Sequence, residues 1–124
     1  MILFLALIAG APVPDCKNTS KQIEISECAL IEWRKVDAEL NRQWKITLST
    51  MKRNGDGAIS AEQTVEYLLK AQRAWITYRE AHCDSLHPYT MRAQLDYSLN
   101  VWCQTGLTQA RIEELRELEK AYRD

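Results

Sequence analysis

Glycine and proline are scarce in this chain: four and three in 124 residues, with two of the prolines among the first 14. Little remains to punctuate strands, so long helices are the expectation. A surplus of either charge is also missing. The 16 basic and 17 acidic residues are interspersed and leave a formal charge of -1, which argues against a dedicated nucleic-acid binder with its basic stripe. No C-x-x-C pair occurs, which disfavours a zinc ribbon or a thioredoxin-like redox site. No G-x-S-x-G, P-loop or H-E-x-x-H occurs either, so the common hydrolase, phosphate-binding and zinc-protease motifs are absent. The one apolar run, residues 2–11, is half the roughly 20 residues a membrane-spanning helix needs. What the chain does have is large packing groups with polar handles, four Trp and five Tyr against one Phe, in a length that suits one domain.

Residues 2–11 are uncharged and almost wholly apolar. They suit the apolar region of a secretory signal, with Ala9-Gly10-Ala11 as the small-residue cleavage site. No Lys or Arg precedes them; an upstream start would supply one. The expectation is a signal peptide over residues 1–11 and a single helical domain over 12–124. The alternative is a buried N-terminal strand or helix turn. Asp15 precedes Cys16, where a lipid anchor needs a small residue, so no anchor is expected. Export would place Cys16, Cys28, Cys83 and Cys103 in an oxidising compartment, and two structural disulfides follow.

Thr19 with Gln22 reads as a capping box. Behind it Ile25, Ala29, Trp33, Val36, Leu40, Trp44, Leu48 and Met51 recur at three- and four-residue steps, a first helix of about 30 residues. Asn54-Gly55-Asp56-Gly57 breaks it. Ser60 with Gln63 caps a second helix that runs to about Asp84, and a link holding Pro88 follows. Met91, Leu95, Leu99 and Trp102 mark a third helix ending near Gly106. Thr108 is a good N-cap for a fourth, carrying Arg111, Leu115, Leu118 and Tyr122. The expected architecture is all-α: an antiparallel long helical hairpin plus two further helices, stapled by two disulfides.

The second helix organises the rest. Leu68, Gln72, Trp75, Ile76, Arg79, His82 and Cys83 share one face. Buried Gln72 and Arg79 demand partners, at about 1–3 kcal/mol for an unmade hydrogen bond and more for a charge. Equal rise about a fold point near Asp56 places residue i opposite about 112 minus i. Asp37 then faces Trp75, one turn from both Gln72 and Arg79, and an Asp37–Arg79 ion pair or an Asp37–Gln72 hydrogen bond is expected. The same register favours Cys28–Cys83 and leaves Cys16–Cys103. The crossed pairing, Cys16–Cys83 with Cys28–Cys103, stays open. A local Cys16–Cys28 bridge fits poorly, because a helix from Thr19 would hold the two Cα atoms beyond about 7 Å; finding it would overturn the register.

Asp37-Ala38-Glu39-Leu40-Asn41, then Ala71-Gln72-Arg73-Ala74-Trp75 with Tyr78-Arg79 and Cys83, then Cys103, Thr108, Arg111 and Leu115 resemble the LprI-type lysozyme inhibitor family. The likeness covers about residues 16–118. Trp44 stands where the family has Tyr, and residues 84–102 hold no Gly where the family often has one. The resemblance implies export, a helical disulfide-stapled fold and, for some members, lysozyme inhibition. It implies no residue-level mechanism.

Three further motifs invite a chemical reading. Asn54-x-Asp56-Gly57-x-Ile59-Ser60 looks like part of an EF-hand, but Lys52 and Gln63 stand where the acidic first and twelfth positions belong. His82, Cys83 and His87 lie close, yet two His without a third spaced ligand make a weak metal signal. Glu113–Glu114 and Glu24–Glu27 fall on exposed faces rather than in a cleft. No enzyme, cofactor or metal is therefore expected. The reading is an exported binding protein, a lysozyme inhibitor or close relative whose partner is lysozyme or another cell-envelope protein. Glu24, Glu27 and Glu32 would form an acidic patch for a basic lysozyme, and Arg73 lies off the apolar stripe as a further contact. The alternatives are a periplasmic structural or stress-related module and a weakly calcium-responsive helical module.

Overall fold

The computed structural model describes residues 13–54, 59–87 and 96–123. Among them are three helices and no strand: α1 (Gln22–Asn54), α2 (Ala61–Asp84) and α3 (Asp96–Arg123). At 1.5 Å per residue α1 is about 50 Å long. The residues expected to form a signal peptide, the centre of the EF-hand-like loop and the Pro88 link lie outside the described residues.

α1 starts two residues later than its capping box implies. The Ile25 amide bonds the Lys21 carbonyl, so the chain before Lys21 is not helical. Residues 15–18 form a turn instead. The Lys17 amide donates to Asp15 Oδ1 at 3.2 Å and the Asn18 amide to the Asp15 carbonyl at 3.3 Å. The Thr19 hydroxyl accepts from the Lys21 amide at 3.2 Å and contacts Glu24. This turn folds the lead-in back along α1 and brings Cys16 within 5.7 Å of Cys28, Cα to Cα. The bridges are Cys16–Cys28 and Cys83–Cys103, not Cys28–Cys83 with Cys16–Cys103. The lead-in over residues 12–18, expected to be extended, turns back at residues 15–18, and the helix begins only at Gln22, so the two cysteines come within bridging distance. Contrary to expectation, the local bridge does not overturn the hairpin register, because it ties the lead-in to α1 alone and leaves Trp33 opposite Arg79.

Ser60 caps α2 as its sequence implies, accepting from the Gln63 amide at 3.1 Å. The buried residues of α2 are Thr64, Leu68, Arg79 and Cys83, while His82 and Ile76 lie outside that stripe. The largest departure is at the C-terminal end. No break occurs at Gly106; one continuous helix runs from Asp96 to Arg123. Thr108 does not cap. Its hydroxyl donates to the Gln104 carbonyl one turn back, at 2.7 Å, and Thr105 does the same to Val101 at 2.9 Å. A mid-helix glycine costs only about 1 kcal/mol, too little to end a helix with partners on both sides of it.

The helices run up, down and up. α1 and α3 are parallel and pack along most of their length. Ser26 meets Ser98 at 2.9 Å, Thr47 Oγ1 donates to the Leu115 carbonyl at 3.0 Å, and Asn54 Nδ2 donates to the Tyr122 carbonyl at 2.8 Å. α2 is antiparallel to both. The core of Val36, Leu40, Met51, Leu68, Ile112 and Leu115 fills the middle and the end of the bundle away from the disulfides, edged by Trp44, Leu48, Trp75, Leu118 and Tyr122. The disulfide end is lined instead by small residues, among them Ala29, Ser98 and Cys83.

Candidate functional site

The groove between α1 and α2 is the place where polar groups collect on apolar walls. Asp37, Leu40, Asn41 and Trp44 come from α1, and Gln72, Trp75, Ile76 and Arg79 from α2; together they enclose about 310 Å³. Helical spacing explains both sets. Asp37, Leu40, Asn41 and Trp44 follow at steps of three, one and three, as Gln72, Trp75, Ile76 and Arg79 do, which is one helix face in each case.

Arg79 is the centre of this region, with 8% of its surface exposed. Its guanidinium lies 4.9 Å from the ring centroids of both Trp33 and Trp75. Nη1 donates to Thr108 Oγ1 at 3.3 Å, which joins α2 to α3. Nε is buried with no hydrogen-bond partner. Burial lowers the Arg79 pKa, against the opposing pull of Glu80 and then Asp37. Asp37 thus acts on Arg79 through the field of its charge, but the two are not within the 4 Å of an ion pair, nor do Asp37 and Gln72 share a hydrogen bond. Gln72 Oε1 accepts instead from Arg111 Nε at 3.0 Å. Arg111 also reaches Glu114 at 2.8 Å and lies 5.9 Å from the Trp75 ring centroid. Arg79 thus rests on aromatic faces and a neutral acceptor, contacts worth about 0.5–2 kcal/mol per ring, while Arg111 adds the Glu114 carboxylate to a ring face and the Gln72 carbonyl.

The other candidate residues are scattered. Glu24 pairs with Lys21 at 3.7 Å and Glu32 with Lys35 at 3.8 Å. Glu27 is exposed. Along α1 it stands about 140° from Glu32, so the three glutamates do not share one face. Arg73 is exposed and sits 11 positions before Asp84, about 17 Å along α2 from the end nearest those glutamates. His82 stacks on Tyr78 with centroids 5.4 Å apart. His87 Nδ1 lies 2.8 Å from Asp96 Oδ2. Among the described residues no three His, Cys, Asp or Glu side chains gather as a metal site would require.

Trp33 and Thr108 are the Arg79 partners that sequence reasoning did not assign. Trp33 was legible only as core and Thr108 only as a cap. The register that places residue 33 opposite 79 was sufficient to join the first to Arg79.

Comparison with known proteins bears on this geometry. The family model described as lysozyme inhibitor LprI matches residues 15–115, a span that holds all four cysteines and the whole groove. An uncharacterized protein of Rhizobium meliloti (strain 1021) is 34% identical over 114 residues, covering 89% of this chain and 82% of that protein. No solved structure matches.

Proposed function

This chain belongs to the LprI lysozyme inhibitor family, and on that premise we propose that it is an exported protein that inhibits lysozyme by protein–protein contact. The observation that carries the reading is the span of the family match, which takes in both bridges, the whole groove and the buried core residues from Val36 to Leu115. Two disulfides agree with an oxidising compartment. Among the described residues no helix is long and apolar enough to cross a membrane. The family is one of inhibitors rather than enzymes.

The contact surface is proposed around the start of α1, where Glu24, Glu27 and Glu32 lie on more than one side of the helix, with Arg73 as a more distant contact. Lys21 and Lys35 offset two of these carboxylates, so Glu27 contributes most of the field that a basic lysozyme meets. Exposed charges of this kind set the association rate more than the final affinity.

The test is a titration of the oxidised protein into lysozyme, following cell-wall hydrolysis, with a reduced sample alongside. Saturable inhibition that disappears on reduction is expected, with Glu27→Lys slowing association several-fold at low salt. An oxidised protein that leaves hydrolysis untouched at about 50 μM, a concentration well above a useful inhibitor's Kd, would refute the reading.

A further inference from the structure

The α1–α2 groove holds more hydrogen-bonding capacity than the fold uses. The Asp37 and Asn41 side chains line it without a hydrogen bond to any described residue. Gln72 spends its carbonyl on Arg111 and keeps its amide N–H groups. Arg79 spends Nη1 on Thr108 and leaves Nε buried without an acceptor. Of these groups only Arg79 is buried, and a buried N–H in a purely structural seam normally has an acceptor; Asp37 and Gln72 are half-buried and Asn41 is exposed. Here carboxylate, amide and guanidinium sit around one space of about 310 Å³, at the lower end of the range for small-molecule sites.

The chemistry of that space selects its occupant. One positive and one negative side chain line it, so a free anion would meet Asp37 and a free cation would meet Arg79. A purely apolar ligand would strand the polar groups, at about 1–3 kcal/mol each. The wall nevertheless includes two tryptophans. Trp75 already carries Arg79 and Arg111 against its ring. No cation lies over Trp44 among the described residues, which leaves its surface for an uncharged, flat, partly apolar group. A ligand with an apolar ring face and an edge of hydroxyls that donate and accept fits every one of these constraints. We propose that this groove binds a neutral pyranose sugar, with the ring against Trp44 and hydroxyls shared between Asp37, Asn41 and Gln72. The proposal goes beyond the inhibitor reading and does not depend on it, since sugar binding and lysozyme inhibition are read in separate assays.

The experiment is a nitrogen-15 NMR titration of the oxidised protein with N-acetylglucosamine, its β-1,4-linked dimer, glucose and cellobiose. These arms separate acetamido sugars from simple hexoses. Expected are saturable shifts in the indole signals of Trp44 and Trp75 and in the Asn41 side-chain amide, with Trp102 unmoved. Asn41→Ala and Asp37→Asn each weaken binding by about tenfold, and each leaves the melting temperature within about 2 °C of the parent. Both positions line the groove and are partly or fully exposed, so neither substitution removes core. Three results overturn the proposal: no saturable shift up to about 50 mM sugar, affinity unchanged in both variants, or tighter saturation of the same signals by sodium acetate or phosphate.

Discussion

Single side chains in this protein do unusual service as polar core. Thr47 is fully buried and holds two things at once: its hydroxyl donates to the Leu115 carbonyl and accepts from Gln43 Nε2 at 3.2 Å. Thr47→Val keeps the shape and removes both bonds, leaving the Gln43 amide buried. The expected cost is about 1–3 kcal/mol, read as a fall of roughly 4 °C in melting temperature per kcal/mol. An unchanged melting temperature would mean that Gln43 turns to water. Arg79 offers a sharper contrast. Its planar guanidinium fits between Trp33 and Trp75, which an ammonium cannot imitate. Arg79→Met removes the charge and fills the slot with a flexible apolar chain, whereas Arg79→Lys keeps a charge that needs solvation it cannot find. Chemical denaturation is expected to rank Met above Lys in stability. The reverse order would show that the fields of Glu80 and Asp37, not the aromatic faces, hold the cation.

At the scale of elements, α3 carries the clearest consequence. Gly106 sits exposed within a continuous helix, and a Cβ there would meet nothing within 4 Å. Gly106→Ala should therefore stabilise by about 1 kcal/mol, a rise of roughly 4 °C; a loss of stability would argue for a break that only glycine permits. The reading of a helix end at this position leaned on glycine as punctuation. The stronger signal was the spacing of Ser98, Val101, Thr105, Thr108, Ile112 and Leu115 at alternating steps of three and four, all of them buried. It passes straight through Gly106. It was hard to see because three of the six are hydroxyl residues, which burial scales place outside. The same blindness hid Gln43, Thr47 and Thr50 on α1. By contrast, the start of α2 at Ser60 and its end at Asp84 were legible, because a serine cap and a run without Gly or Pro leave few alternatives. In the candidate site, the residues of the groove were legible as a group, since helical period and register are geometric. Their individual partners were not. A charge such as Arg79 can be satisfied by a ring face or by a neutral hydroxyl as well as by Asp37, and spacing alone does not choose among them.

Across the whole molecule, stabilising interactions are divided between the two ends. The start of α1, the end of α2 and the start of α3 lie together and carry both bridges. The opposite half holds the aliphatic core, with Thr50 bonded to Glu119 at 3.2 Å and Asn54 to Tyr122. Each bridge closes a short loop, worth about 3 kcal/mol in the chain-entropy model. Replacing Cys83 and Cys103 together by serine should accelerate amide exchange in residues 79–87 and 96–103 while residues 40–51 and 108–118 stay protected. Uniform acceleration would show that the two halves unfold as one unit. The groove lies between these halves, at residues 37–44 of α1 and 72–79 of α2, where covalent support gives way to packing.

The bridges join neighbours in chain order, the first cysteine to the second and the third to the fourth. A chain that meets an oxidant from its N-terminus onward can thus close each bond as soon as its second partner emerges, and no earlier bond has to be undone. A wrong pairing would require a cysteine to wait while its nearest neighbour passed. Oxidative maturation of this protein should accordingly proceed without a disulfide-shuffling catalyst.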